Sequence, residues 1–148
     1  MNMMKPILCT LLISTLGACA SVNSSEPIAG EGKKDAEVLF FRQSSLQAKL
    51  ADAYLGTGGG DYFLQLGEKE YARYPVTSGW YEFVVKAHGS VSSSQNIEFH
   101  AGKTTCVEVR PNTEDVEWLA VPFLNALIPS FKLESVPCVS LAELTQVE

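Results

Sequence analysis

Histidine is nearly absent from this 148-residue chain, and the two that occur, His88 and His100, have no serine or cysteine in a nucleophile pattern such as G-x-S-x-G. Basic residues are also few. Eleven Lys and Arg stand against 17 Asp and Glu, for a net charge of −6, and no block of them is long enough to track a phosphate backbone, which argues against a nucleic-acid partner. Gly102-Lys103-Thr104 has the ending of a phosphate loop, but the glycine needed five residues earlier is Ile97, and a β-rich stretch follows where a helix is required. Gly56-Thr57-Gly58-Gly59-Gly60 has no lysine after it and reads as a connector. Two distant histidines and few cysteines offer no metal-ligand spacing. Acid pairs such as Glu114-Asp115 fall in a loop, and nothing selects one for catalysis. The expectation is a chain that is not an enzyme and takes no cofactor.

Long apolar runs are also missing. Ile7 to Leu16 is ten residues, against the roughly 17–25 that a membrane-spanning helix needs. With Lys5 before it, this run reads as the core of a signal peptide covering residues 1–18. Two processing patterns overlap at its end. Leu16-Gly17-Ala18-Cys19 looks like the lipobox of bacterial lipoproteins, in which the cysteine is acylated and becomes the first mature residue. Ala18-Cys19-Ala20 fits the A-x-A site of an ordinary secretory signal, which would release a soluble protein. The four-residue lipobox is the more specific pattern, so Cys19 is taken as the lipid site. Acyl burial contributes ~0.8 kcal/mol per CH₂, and several chains together give a stable membrane anchor. Ala20 rather than Asp after the cysteine points, by analogy, to the outer membrane facing the periplasm.

Ala20 to Lys34 is rich in Ser, Asn, Gly and Glu without apolar periodicity, so residues 19–34 are expected to be the lipidated cysteine and a flexible tether. Such a tether reaches at most ~50 Å extended and ~20 Å as a relaxed coil. Cys9 leaves with the signal and Cys19 takes the lipid, so Cys106 and Cys138 remain. In an oxidising compartment that even pair reads as a disulfide.

From residue 35 to 148 the apolar period is mostly two, which predicts a mainly β domain, a small antiparallel β-sandwich. Strands are expected at Ala36–Arg42, Trp80–Ala87, Asn96–His100, Thr104–Arg110 and Phe131–Val136. Tyr62–Leu66 and Glu70–Tyr74, joined by Gly67-Glu68-Lys69, read as a hairpin. Ser44–Leu55 leaves room for a short helix or an irregular crossover, because Leu46, Leu50, Ala53 and Tyr54 recur at helical spacing. Ser140-Leu141-Ala142-Glu143 has a capping-box pattern for a short C-terminal helix. By parity Cys106 lies on the face opposite Val107 and Val109, so a bond to Cys138 requires the C-terminal segment to cross to the outer face of the sheet. Between Val116 and Phe131, Trp118, Phe123, Leu124, Leu127 and Ile128 form either core or an exposed patch for a partner, and Pro122 and Pro129 exclude a spanning helix.

The run Ala36-Glu37-Val38-Leu39-Phe40-Phe41-Arg42, the stretch Gly79-Trp80-Tyr81-Glu82-Phe83-Val84-Val85 and the segment Phe99-His100-Ala101-Gly102-Lys103-Thr104 resemble a family of small bacterial lipoprotein domains of unknown function, in style PEGA-like and transthyretin-like β-sandwiches. The resemblance covers Ala36 to Arg110, and Thr105-Cys106 departs from it where the family has aromatics. It implies export, a sandwich and no catalytic residues to carry over. It also highlights Arg42, which is read here as half of an ion pair closing the domain edge. The resulting expectation is a membrane-anchored, non-enzymatic envelope module that binds a protein or cell-wall component. The alternatives are an inhibitor of an exogenous enzyme, in the manner of lysozyme-inhibitor lipoproteins, and an envelope hydrolase. Some of those inhibitors carry an S-G-x-x-Y loop, and here Ser78-Gly79-Trp80-Tyr81 places the tyrosine one position early.

Overall fold

In a computed structural model, the described residues are 28, 32–45, 51–59, 61–114, 128–138 and 140–147. Within them the chain forms nine strands: β1 (Ala36–Phe41), β2 (Ala53–Thr57), β3 (Tyr62–Leu66), β4 (Glu70–Val76), β5 (Gly79–Ala87), β6 (Ser93–Phe99), β7 (Thr104–Pro111), β8 (Phe131–Val136) and β9 (Thr145–Gln146). They assemble into a five-stranded sheet in the order β8-β7-β1-β4-β9 and a four-stranded sheet in the order β3-β2-β5-β6.

The alternation visible in the sequence decides which side chains go inside. On β5, Phe83, Val85 and Ala87 are buried, while Trp80 and Glu82 face solvent. On β1, Val38 and Phe40 join the shared core, and Leu39 and Phe41 turn to the opposite face. The two sheets meet through aromatic rings. Phe40 meets Phe83 edge-on at 5.2 Å between centroids, and Phe63 meets Tyr74 at 5.5 Å, each pair joining one sheet to the other. Burying each such ring contributes about 1.5–3 kcal/mol, with edge-to-face geometry adding to it. A register shift at Leu55/Gly56 lets Phe63 and Leu64 both turn inward, as an extra residue in a strand does.

Four sequence expectations are corrected. The five-stranded sheet is mixed rather than antiparallel, because β7 runs parallel to β1 and β9 parallel to β4. Gly67-Glu68-Lys69 does not close a hairpin. β3 pairs with β2 and β4 with β1, so this turn carries the chain from one sheet to the other. Lys69 takes a positive φ of 59°, and Gly67 N donates to Glu70 Oε2 at 2.6 Å. The short helix after the first strand is not formed where it is described: Ala53 and Leu55 are buried with Tyr54 between them, so period two prevails over the helical spacing. Residues 46–50 of that segment lie outside the described residues. The C-terminal helix is a single turn, with Leu144 N donating to Leu141 O and Ala142 N to Ser140 Oγ. Four residues cannot offset the cost of nucleating a helix, and the chain leaves as β9 instead.

Candidate functional site

The five-stranded sheet has a second, smaller apolar cluster on its outer face. Register aligns Leu39 with Cys106 and Cys106 with Val136, one row across three strands. Leu39, Phe41 and Cys106 are buried there, with Tyr71, Val136, Leu141 and Leu144 packed against them. The C-terminal segment supplies the cover. It leaves β8 at one edge, crosses the face with Leu141 and Leu144 turned inward, and pairs with β4 at the other edge, where Val147 N donates to Tyr71 O at 2.9 Å. Cys106 and Cys138 are disulfide-bonded with Cα atoms 5.2 Å apart, tying the start of this strap to β7. The parity argument is met: Cys106 faces away from Val107 and Val109, and the C-terminal segment has come to its face.

Arg42, at the end of β1, is only 1% exposed. Its guanidinium donates to Ala51 O at 2.6 Å and to Leu66 O at 3.1 Å, and lies 4.7 Å over the Phe131 ring. It therefore joins the end of β3 in one sheet to β1 and β8 in the other. Burial pulls its proton affinity below the ordinary arginine value, while the fields of Asp52, Glu68 and Glu70 oppose that. Sequence reasoning assigned Arg42 an ion pair. Carbonyl acceptors could not be foreseen, because a carbonyl carries no signature in the sequence.

Among the described residues, two clefts share Gln43 and Ser44 just beyond β1. One of about 380 Å³ is lined by Gln43, Ser44, Lys69, Ser140, Ala142, Glu143 and Leu144. The other, about 300 Å³, holds a charge network in which Arg110 bridges Glu108 at 2.6 Å and Glu134 at 2.7 Å, and Lys132 reaches Glu114 at 2.6 Å. Ser44, shared by both, gives its hydroxyl to Glu68. Neither histidine lines these clefts, and the two stand apart: His88 lies in the β5–β6 turn, and His100 follows β6 at the opposite end of that strand. Among the described residues no three His, Cys, Asp or Glu gather as a metal set.

That opposite end is where the N-terminal segment joins the domain. Ile28 falls in the stretch expected to be tether, yet it is buried in the main core and its carbonyl accepts from Lys34 Nζ at 3.1 Å. A single isoleucine among polar residues has no periodicity, so nothing in its neighbourhood signals burial. Asp35 N donates to Val76 O at 3.1 Å, and Gly102 N donates to Asp35 O at 2.7 Å. Gly102 has a φ of +72°, which the turn into β7 requires and a glycine adopts without strain. The Asp35 carboxylate accepts from Ser78 N at 2.7 Å and from Ser78 Oγ at 3.1 Å. The bond from the Ser78 backbone is the main reason this carboxyl sits below the ordinary aspartate range. A lowered value in the folded state means that its contribution is present at neutral pH and is lost as pH falls through the folded-state value. Asp35→Asn is therefore expected to flatten the acid limb of the stability curve below about pH 4, read by urea midpoints from pH 2 to 7, and an unchanged acid limb would contradict the clamp.

Beside this clamp, Tyr81 Oη donates to Thr77 O at 2.8 Å and its ring packs 5.2 Å from Phe99, so the tyrosine is held against the core. Trp80 points the other way and is 68% exposed. Of the partner-surface candidates, Trp118, Phe123, Leu124 and Leu127 lie outside the described residues, as does Cys19; Ile128 is half-buried. Compared with protein-family models, with curated proteins and with solved structures, the chain gives no match.

Proposed function

We propose that this chain is a lipid-anchored envelope module: a disulfide-bonded β-sandwich, PEGA-like in style, held by acylated Cys19 on the periplasmic side of the outer membrane. It binds a protein or cell-wall component there and catalyses no reaction. The observation that carries this reading is the Cys106–Cys138 disulfide. Such bonds form in oxidising, exported compartments, and the leader ending in Leu16-Gly17-Ala18-Cys19 is the kind of segment that delivers a chain there. The shared core between the two sheets supports the sandwich.

The test is metabolic labelling with a fatty acid in a Gram-negative host, followed by membrane fractionation. The wild type is expected to take up label and remain with the membrane. Cys19→Ser is expected to lose both, because one acylation site carries the whole anchor. Label absent from the wild type, or retained by the variant, sinks the assignment of Cys19. Crosslinking in the intact envelope then identifies the partner.

A further inference from the structure

We infer that the end of the domain at which the N-terminal segment enters is a membrane-contacting surface, with Trp80 as its interfacial anchor and the phospholipid headgroup layer as its partner. This rests on the lipid-anchor reading above. The docking of Ile28 shortens the link to the lipid. Between Cys19 and Ile28 the chain spans at most about 32 Å, even when fully extended. The end that holds Ile28, Lys34 and Asp35 is thus the end drawn toward the bilayer.

That end has the chemistry of an interface. Trp80 is the second residue of β5, two positions after the Ser78 that clamps Asp35, and it projects from the outer face of the four-stranded sheet. Tryptophan favours the headgroup level of a membrane, where an amphipathic ring keeps its N–H wet and its body apolar. An exposed tryptophan in an otherwise alternating strand has no core to serve. Three of the chain's eight lysines belong to this end: Lys33 and Lys34 lead into Asp35, and Lys103 ends the turn whose Gly102 N binds Asp35 O. Three acids at this end have neighbours within the domain, while Glu82, on the same face of β5 as Trp80, is exposed. Asp35 is held by Ser78, Glu37 by Arg73 at 2.8 Å, and Glu98 lies 3.8 Å from His100. No ion pair is formed by Lys33 or Lys103 among the described residues. In a chain of net charge −6, such lysines at the anchored end suit the anionic phosphates of a bilayer.

The experiment uses the full lipidated protein with Trp118→Phe, which leaves Trp80 as the only tryptophan, reconstituted into phosphatidylcholine vesicles with and without phosphatidylglycerol. Trp80 emission is expected to shift to the blue, to be quenched by lipids brominated near the headgroup, and to resist aqueous acrylamide. For the same domain carrying Cys19→Ser, each of Lys33→Glu and Lys103→Glu is expected to weaken binding to phosphatidylglycerol vesicles by about fivefold or more. A protein that floats with the vesicles while Trp80 stays open to acrylamide overturns this surface and leaves the anchor standing. Absence of fatty-acid label removes the anchor and the surface with it. Protection of Trp80 only after a second protein is added also overturns it, assigning this end to a protein partner.

Discussion

Arg42→Ala is expected to lower the domain's stability by about 3–5 kcal/mol, measured by urea unfolding. Two charge-assisted hydrogen bonds, each worth about 1.5–3 kcal/mol, end on Ala51 O and Leu66 O, and truncation leaves both carbonyls without this donor. Loss of the guanidinium face over Phe131 adds about 1 kcal/mol. These terms are not additive, since one relaxation serves all three, so the total falls below their sum. For a domain of this size the change corresponds to roughly 15 °C in melting temperature. Arg42→Lys separates charge from shape. Lysine keeps the positive charge, but a single ammonium lacks the planar fork that serves two carbonyls while lying on a ring. It is expected to recover less than half of the loss. A loss under about 1 kcal/mol for Arg42→Ala would show that Arg42 does not tie the two sheets together.

Replacing both partners of the disulfide, Cys106→Ala with Cys138→Ala, is expected to cost about 3.5 kcal/mol. The bond closes a loop with a sequence separation of 32, and the chain-entropy model assigns such a loop between about 3 and 4.7 kcal/mol. Alanine at Cys106 keeps the buried site apolar beside Leu39 and Phe41, whereas serine there would add the separate cost of a buried hydroxyl. The expected signature is a wild-type melting temperature that falls on adding dithiothreitol and a variant that ignores it. Hydrogen exchange locates the effect. The amides of Leu144 and Val147, which bond to Leu141 O and Tyr71 O, should lose protection first, because the strap then keeps only non-covalent contacts among the described residues, chiefly Leu141, Leu144, Val147 and the two-residue β9. If the β1–β7 ladder loosens as early as these amides, the disulfide supports the sheet as a whole rather than the strap.

Most strands of this domain could be read directly. Along β5, β6 and β7 the period of two puts Phe83, Val85, Ile97, Phe99, Val107 and Val109 on one face each, and all six are buried. The same parity sent Cys106 outward and required the C-terminal segment to follow it. Short-range chemistry was less informative. Gly67-Glu68-Lys69 carries signals shared by a hairpin turn and a link between sheets, and only the pairing of β3 with β2 separates the two. Ala53 and Tyr54 matched helical spacing by coincidence, since both lie in β2, and the segment is too short for periodicity to arbitrate.

The features that give the domain its surfaces depend on contacts distant in sequence. Arg42 meets carbonyls 9 and 24 residues away, and β9 finds β4 across more than seventy residues. Ile28 enters a core whose other members all come later in the chain. What the sequence alone determined was local: the period-two strands, and the opposite faces on which Cys106 and its neighbours Val107 and Val109 sit. Those follow from backbone geometry, in which successive side chains alternate by necessity. Sheet membership, the parallel β1–β7 pairing and the strap were decided by tertiary structure. Burial couples many weak preferences at once, and no single stretch of residues contains that sum.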